Sequence, residues 1–271
     1  MPLFTANSSL YTTPMSWASR RRTFYILGIV LFFMVTVGIP AAIFLYKPPT
    51  CFDGKLNQEE TDVDKGGPCL LLDERTLVPH AVVWSRSFEV RDGTYSAVAY
   101  IENPNGEAGV QRVEYRFGLY DERNVLVAER DGVTFVSPGG VTPVFQGAID
   151  TGRRIVARTY FEFTEPLIWE RMQSKAGILT IYNKDIADTG NTPRLTALVK
   201  NESVADVVDP SFVAVAFDTA GNAFAASETL LPRIPAGDVR ELVFTWPDAF
   251  SYAVGRLDVL PYLPPALVLG N

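Results

Sequence analysis

The longest apolar run of the chain lies near its N-terminal end. From Thr23 to Tyr46, 24 consecutive residues carry no charged side chain. An α-helix needs about 20 apolar residues to cross the hydrocarbon core of a bilayer, so the run predicts a transmembrane helix at residues 23–46. Pro40 lies inside it, where a kink is tolerated. We therefore expect the lipid bilayer to be a partner of this chain through residues 23–46.

Basic residues flank this run unequally, with three arginines at positions 20–22 before it and Lys47 after it. By the positive-inside rule, residues 1–22 form a short cytoplasmic tail and the rest of the chain is extracytoplasmic. A cleaved signal peptide is the alternative, but its apolar region is about 7–15 residues long, and residues 46–49 make a poor cleavage site. We expect a signal anchor in a single-pass cell-membrane protein.

Beyond the run, apolar and polar residues alternate in short segments separated by turn-forming residues, a pattern typical of β-strands. In VEYRFGLYDERNVLVAER (113–130), Val113, Tyr115, Phe117 and Leu119 share one face of a strand and should point into a core. The segment FVAVAFDTAGNAFAAS (212–227) has the same pattern with smaller residues. The predicted fold class is mostly β.

The β-rich part of the chain is similar to itself at an offset of about 98 residues. Ala99 then matches Ala197 and Asn103 matches Asn201. Each copy is the size of an immunoglobulin-like sandwich, and the copies lie at about 79–166 and 178–265. We therefore predict an N-terminal transmembrane helix followed by two tandem immunoglobulin-like β-sandwiches. The predicted parts are a cytoplasmic tail (1–22), a transmembrane helix (23–46), a disulfide-clasped acidic stalk (47–78), a first sandwich (79–166), a connector (167–177) and a second sandwich (178–271).

The connector region 166–177 contains Trp169 and Met172, which would pack between the two sandwiches if they are buried. A helical turn in a connector is the simpler interpretation, and we prefer it.

The residues Phe117-Gly118-Leu119-Tyr120-Asp121 resemble the F-x-L-Y-D signature of the FxLYD family. Its members are small β-sandwich domains found outside membranes and often next to a single span. The second copy departs from the signature, with Ala-Val-Ala-Phe-Asp at 214–218. The resemblance implies tandem FxLYD-like sandwiches, and it brings no catalytic residues.

Charge is distributed asymmetrically along the chain. All 31 acidic residues and 20 of the 24 basic residues follow position 47, so this part carries a net charge of −11. Nucleic acid and anionic lipid head groups bind basic surfaces, so neither is an expected partner. Divalent cations remain compatible with this charge.

Both cysteines lie at the ends of CFDGKLNQEETDVDKGGPC (51–69). A zinc site needs four ligands, whereas Cys51, Cys69 and the single histidine, His80, supply three across 30 residues. A redox pair is expected as C-x-x-C. A disulfide between Cys51 and Cys69 fits an oxidising compartment, and closing this loop contributes about 3 kcal/mol in the chain-entropy model. We predict the disulfide.

The same segment is rich in oxygen donors, which calcium prefers as ligands in sets of 6–8. The EF-hand pattern fails, because Lys55 stands at the third position of a loop that begins at Asp53. A solvated acidic turn is the alternative to a calcium site. The candidate calcium ligands are Asp53, Asn57, Glu60, Asp62 and Asp64.

The pattern C-F-D-G-x-x-N…G-G-x-C resembles a segment of extracytoplasmic bacterial proteins, including uncharacterised single-span membrane proteins. Those proteins usually carry a third Cys before Gly-Gly and often a fourth after the last Cys. This chain has Lys65 at the first of these places and Asp73 at the second. If the third and fourth cysteines of those proteins form their own bridge, both are expected to be lost together, and the Cys51–Cys69 bridge stays intact. The resemblance implies location and architecture, without a known activity.

The sequence contains no H-E-x-x-H, G-x-S-x-G, phosphate loop or dinucleotide fingerprint. His80 would be a general base in an enzyme, but a linker residue bonded to backbone is the simpler interpretation. We expect no enzyme, no catalytic residue and no bound cofactor other than calcium.

The hypothesis that these observations favour is a membrane-anchored extracytoplasmic scaffold or adaptor in a cell-envelope or surface complex, with envelope or surface proteins as partners. Exposed strand edges or loops would contact the partner. The alternative is a surface carbohydrate- or ligand-binding module. It predicts an exposed aromatic platform, for which Trp84, Trp169 and Trp246 are the candidates.

Overall fold

The computed structural model describes residues 17–46 and 49–268, except for the side chain of Ala176. The chain forms two compact units, residues 1–50 and residues 51–271. Residues 1–16 of the expected cytoplasmic tail, and Lys47, lie outside the described residues.

The N-terminal unit is one apolar helix in which α1 spans Trp17–Phe33, a π-helical turn spans Met34–Gly38 and α2 spans Ile39–Leu45. The 29-residue helix has a mean hydropathy of 2.6 in its most apolar stretch, so by length and composition it is able to cross a membrane. Pro40 lies in the first turn of α2. The π-helical turn precedes it, where the proline ring and its missing N–H disturb regular α-helical bonding. Residues 17–22 of the expected tail are helical.

The second unit is mostly β, as predicted, with two short 3₁₀ helices at Glu74–Thr76 and Ala176–Ile178. Its strands are β1 (Ala81–Arg91), β2 (Thr94–Asn103), β3 (Ala108–Tyr120), β4 (Leu126–Val136), β5 (Gly140–Asp150), β6 (Arg158–Phe163), β7 (Glu170–Gln173), β8 (Leu179–Ala187), β9 (Arg194–Asn201), β10 (Val207–Val208), β11 (Ser211–Phe217), β12 (Ala223–Leu230), β13 (Arg233–Ile234), β14 (Val239–Thr245), β15 (Arg256–Tyr262) and β16 (Ala266–Leu267).

The same strand order occurs in both halves of this unit. In the first half, β1-β2-β5 form one sheet, and β3 lies between β4 and β6 in the other. In the second half, β8-β9-β14 form one sheet and β12-β11-β15 the other. Each half is therefore a pair of antiparallel sheets, which is the architecture of a β-sandwich.

Three hydrophobic cores hold these four sheets in a stack. The first core lies between β2 and β3 and contains Ala99, Ile101, Phe117 and Leu119. The second core lies between β9 and β11, with Leu195, Val199 and Phe212 among its buried residues. The third core joins the two halves, because Val98 and Tyr100 of β2 pack with Val213, Val215 and Phe217 of β11.

The third core explains why β2 and β11 are buried on both faces. All seven residues of β11 are buried. Phe212 packs in the second-half core, while its neighbour Val213 packs against the first half. Since successive side chains of a strand point to opposite faces, such continuous burial requires a sheet on each side.

The 166–177 connector contains a strand in its middle, and the predicted helical turn occurs only at its end, in the 3₁₀ helix Ala176–Ile178. Residues Glu170–Gln173 form β7, which pairs with Ala108 and Gly109 at the start of β3. Trp169 and Met172 are both buried, and Trp169 belongs to the core of the first half. On its other side β7 pairs with β16, so the end of the chain returns to a sheet of the first half. Pairing with β3 on one side and β16 on the other makes this segment a strand, which the three-residue spacing of Trp169 and Met172 does not indicate.

Candidate functional site

The disulfide predicted at the start of the second unit is present. Cys51 and Cys69 are bonded, with their Cα atoms 5.4 Å apart. Both sulfurs are therefore unavailable as thiolate ligands, although Glu60 Oε1 lies 3.2 Å from Cys69 Sγ. A zinc site that uses both sulfurs as thiolate ligands is not compatible with this bond.

Inside the disulfide loop, the carboxylates accept hydrogen bonds from loop backbone. Asp64 accepts from the N–H groups of Asp53 and Gly54 at 3.1 Å. Glu60 Oε2 accepts from the N–H groups of Asn57 and Asp64 at 3.2 and 3.3 Å. Asn57 Nδ2 donates to Asp53 Oδ2 at 3.0 Å. Four of the five predicted calcium ligands thus belong to one network.

Three observations bear on a cation in this loop. Asn57 Oδ1 is buried and has no hydrogen-bond partner among the described residues, so its lone pairs are available to a cation. Asp62, the fifth predicted ligand, instead forms an ion pair with Arg75 at 3.0 Å. Among the described residues, the group of potential ligand atoms that lies within 4.8 Å is Cys51, Glu60 and Cys69, and it does not include Asp53 or Asp64. Calcium binding by Asp53, Asn57, Glu60 and Asp64 therefore stays a prediction.

The positions that resemble lost cysteines are electrostatically coupled in this structure. Asp73 accepts from Arg75 Nε at 3.0 Å. The Arg75 side chain is the main cause that lowers the pKa of Asp73, and the charge of Lys65 lowers it further. The charges of Lys65 and Asp73 therefore interact in the folded protein.

The loop is attached to the first half through β7. Leu72 N donates to Trp169 O at 2.8 Å, and Arg171 N donates to Leu70 O at 2.7 Å. The guanidinium of Arg171 also donates to Gly67 O at 2.8 Å. These bonds make the expected acidic stalk a part of the folded second unit.

His80 lies beside the aromatic rings of Phe163 and Trp169, at centroid distances of 5.7 and 5.8 Å. Burial lowers its pKa, and the charge of Glu74 opposes this shift. This position favours a packing role over that of a general base. The contacts shown are to aromatic rings, whereas the interpretation from sequence is a linker residue bonded to backbone.

The three candidate tryptophans do not form the exposed platform that the carbohydrate-binding alternative requires. Trp169 and Trp246 are 4% and 7% exposed. Trp84 is half-buried against Tyr100, at a centroid distance of 4.4 Å, on the edge of the core between the halves. All three indole rings therefore contribute to packing.

A different aromatic surface occurs at the junction of the two halves. Here a groove of about 750 Å³ runs between β1, the segment before and within β6, and the second half. Tyr160 and Tyr252 line it and are 54% and 58% exposed. We call this surface the junction groove; its lining residues are Ser85, Arg86, Ser87, Phe88, Glu89, Tyr95, Ile155, Val156, Ala157, Arg158, Thr159, Tyr160, Ala223, Phe224 and Tyr252.

Polar bonds fix the walls of the junction groove. Ser85 Oγ donates to Thr159 O at 2.9 Å, and Thr159 Oγ1 donates to Ser87 Oγ at 2.8 Å, so β1 and β6 are held together. Across the junction, Arg86 Nη1 donates to Ala223 O at 3.1 Å. The groove is therefore a built feature of the packed halves.

Aromatic contacts position the two exposed tyrosines. Tyr160 meets Tyr120 edge-on at 5.3 Å, and Tyr252 lies 5.6 Å from Phe224, measured between ring centroids. Sequence reasoning missed this pair, which is separated by 92 positions. One signal was available in the alternation of β6. Phe161 and Phe163 pack against the core, so Tyr160 is at an outward position of the same strand. Tyrosine is enriched at interfaces, so an outward-facing tyrosine is a candidate contact residue.

Comparison with known proteins supplies no family. No family model matches this chain, and no curated protein matches it. Among solved structures, it is similar to red sea bream transglutaminase, with 6% identity and a TM-score of 0.24 over 69% of this chain and 31% of that chain. It is also similar to Bacteroides uniformis beta-glucuronidase, with 14% identity and a TM-score of 0.18 over 58% of this chain and 22% of that chain. The chain thus spans less than a third of the length of either protein. At TM-scores this low, neither likeness supports a conclusion about the function of this chain.

Proposed function

We propose that this protein is a membrane-anchored extracytoplasmic adaptor that binds a partner protein of the cell envelope or surface in the junction groove. The observation that carries the proposal is the pair of exposed tyrosines, Tyr160 and Tyr252, in a groove assembled from both halves. Tyrosine offers a large, rigid contact area with a polar tip, and it is enriched at protein interfaces for that reason.

The proposed location is supported by two features. The apolar helix Trp17–Leu45 has the length and hydropathy of a membrane span. The Cys51–Cys69 disulfide follows this helix within a few residues, and disulfides persist in oxidising compartments. With three arginines before the apolar run, we propose a single-pass signal anchor whose N-terminus is cytoplasmic.

We further propose that the two halves are tandem copies of one immunoglobulin-like, FxLYD-like unit. The common strand order supports this. So do two equivalent turns: Asp121 Oδ1 accepts from the N–H groups of Arg123 and Val125, and Asp218 Oδ1 accepts from those of Ala220 and Asn222. A carboxylate that accepts from residues two and four positions later stabilises the same kind of turn in each copy.

Two of the edge strands are less suited than the groove to bind the partner. β5 carries Pro143 within its pairing segment, and β8 has a bulge between Tyr182 and Asp185. Prolines and bulges on edge strands disfavour the addition of another strand. We therefore place the contact in the junction groove, and we propose binding without catalysis.

In-membrane photo-crosslinking tests this proposal. A photoreactive phenylalanine derivative replaces Tyr160 or Tyr252 in the full chain, which carries a C-terminal epitope tag for recovery and mass spectrometry. Val204 is the control, because it is a fully exposed residue outside the groove, so low exposure cannot reduce its crosslinking. We expect both groove positions, and not position 204, to crosslink to the same envelope protein. Equal crosslinking from all three positions, or none from the groove, contradicts the adaptor function.

A surface carbohydrate-binding module is the second candidate, favoured by the polar side chains that accompany the tyrosines. Arg86, Glu89 and the Ser85–Ser87 hydroxyls line the same groove. Aromatic faces beside such donors and acceptors suit sugar rings. Glycan-array binding that Tyr160→Ala and Tyr252→Ala abolish, together with a groove free of protein crosslinks, would favour this function.

A further inference from the structure

The second unit begins almost where the apolar helix ends. Leu45 is the last helical residue, and Cys51 is the first residue of the second compact unit. The five residues between them span at most about 20 Å, since a fully extended chain covers roughly 3.3–3.6 Å per residue. If the helix spans the bilayer, the disulfide loop is therefore tethered close to the lipid surface.

The loop carries exposed apolar side chains next to this tether. Phe52 is 85% exposed, Leu56 63% and Val63 45%. Phe52 and Val63 directly precede Asp53 and Asp64, and Asp53 N donates to Asp64 Oδ1 at 3.1 Å, so this bond brings the two backbone segments together. Exposed apolar residues that cluster at one place mark an interaction surface.

Three acidic residues of the loop have hydrogen-bond or ion-pair partners within the protein. Asp64 and Glu60 accept hydrogen bonds from loop backbone, and Asp62 is paired with Arg75. Their charges are thus partly compensated within the protein, which lowers the cost of bringing the loop to a zwitterionic surface. Bonds to β7 also hold the loop in a fixed orientation on the first half.

We propose that Phe52, Leu56 and Val63 insert into the headgroup region of the bilayer and hold the first half against the membrane. The proposal rests on the membrane anchoring in the proposed function, but not on the adaptor role of the junction groove. Apolar side chains at the boundary between headgroups and acyl chains stabilise membrane binding in proportion to the apolar area that they bury. The partner is a zwitterionic lipid surface, since the net negative charge of this part of the chain disfavours anionic lipids.

The structure offers a matched control for this contact. Val125 is 49% exposed, close to the value for Val63. It follows the C-terminal end of β3, whereas β7 pairs with the N-terminal end of that strand. β3 has 13 residues, and a strand rises about 3.4 Å per residue, so the two ends are separated by roughly 40 Å. A probe at position 125 therefore reports on the membrane-distal end of the same half.

The experiment uses the full chain reconstituted in phosphatidylcholine vesicles, with an environment-sensitive fluorescent amino acid at position 52, 63 or 125. Nitroxide-labelled lipids in the same vesicles quench a fluorophore that touches the headgroup region. We expect strong quenching and a blue-shifted emission at positions 52 and 63, and emission at position 125 that matches the probe in water.

Vesicle flotation separates the possible failures. Protein that floats with the vesicles but shows equal quenching at positions 63 and 125 overturns the insertion of the loop and leaves the anchor intact. Protein that does not float overturns the anchor and the insertion together. Photo-crosslinking from Tyr160 and Tyr252 reports on the adaptor role independently of either result.

Discussion

Asn103 and Asn201 are both fully buried, and their side-chain amides make the same kind of contact in the two halves. Asn103 Nδ2 donates to the carbonyls of Ala108 and Ser137 at 2.7 and 2.9 Å. Asn201 Nδ2 donates to the carbonyls of Ala205 and Ile234 at 2.8 and 3.0 Å. Each amide thus ties the end of its strand to two separate backbone segments. Asn201 also begins an Asn-Glu-Ser sequon, and a glycan on this amide would not fit its burial and its hydrogen bonds in the folded protein.

Replacement of Asn201 by Ala should destabilise the second unit by roughly 2–4 kcal/mol, because the variant leaves buried carbonyls without a donor. Asn201→Asp should cost at least as much, since a carboxylate cannot donate. Urea unfolding measures both. Asn191→Ala, at an exposed position, is the control and should leave stability unchanged. Equal stability of the Asn201 and Asn191 variants would show that the amide bonds contribute little.

Calcium should bind to the oxidised disulfide loop at millimolar concentration, with heat detectable by isothermal calorimetry. Asp53→Asn should abolish this heat, because Asp53 belongs to the network around Asn57. Asp62→Asn is the matched control and should retain it, since Asp62 pairs with Arg75. Absence of heat from the unmodified protein would end the case for a calcium site.

A second disulfide should form in the Lys65→Cys, Asp73→Cys double variant. The charge of Lys65 reaches Asp73, and the resemblance to related segments implies that these two positions replace a bridge. Intact-mass measurement after thiol alkylation should find all four cysteines protected. The two single variants are the controls, and each should carry one alkylated thiol. A double variant with two free thiols would contradict the inferred pairing.

Acid should weaken the first half through His80. Burial lowers the pKa of His80 below its ordinary value of 6.5, so the unfolded chain binds the proton more readily than the folded protein. This component of stability is complete above pH 6.5 and is lost as pH falls through the lower pKa of the folded state. Urea unfolding measures the free energy of unfolding at neutral pH and at pH values below 6.5. This free energy should decrease less with acid for His80→Phe than for the unmodified protein. Equal decreases would remove His80 as the cause.

The features that local pattern determines were predictable from the sequence. The uncharged run 23–46 corresponds to the long apolar helix, because span length and hydropathy depend on neighbouring residues alone. Strict alternation in 113–119 predicted the core face of β3, and Tyr115, Phe117 and Leu119 are buried there. Two cysteines at the ends of one polar loop allowed one intramolecular bridge, and it is formed.

Tertiary structure alone decided what covers the outer face of each strand. Alternation shows that Phe212 and Val213 point to opposite faces, but the third core that buries Val213 comes from β2, far away in the chain. The same reason separates Tyr160 from Tyr252, which meet in one groove only after the halves pack. It also explains β7, whose partners Gly109 and Leu267 lie on either side of it in the sheet and come from distant parts of the sequence. Local periodicity specifies which residues share a face, whereas the stacking of sheets specifies which faces meet solvent.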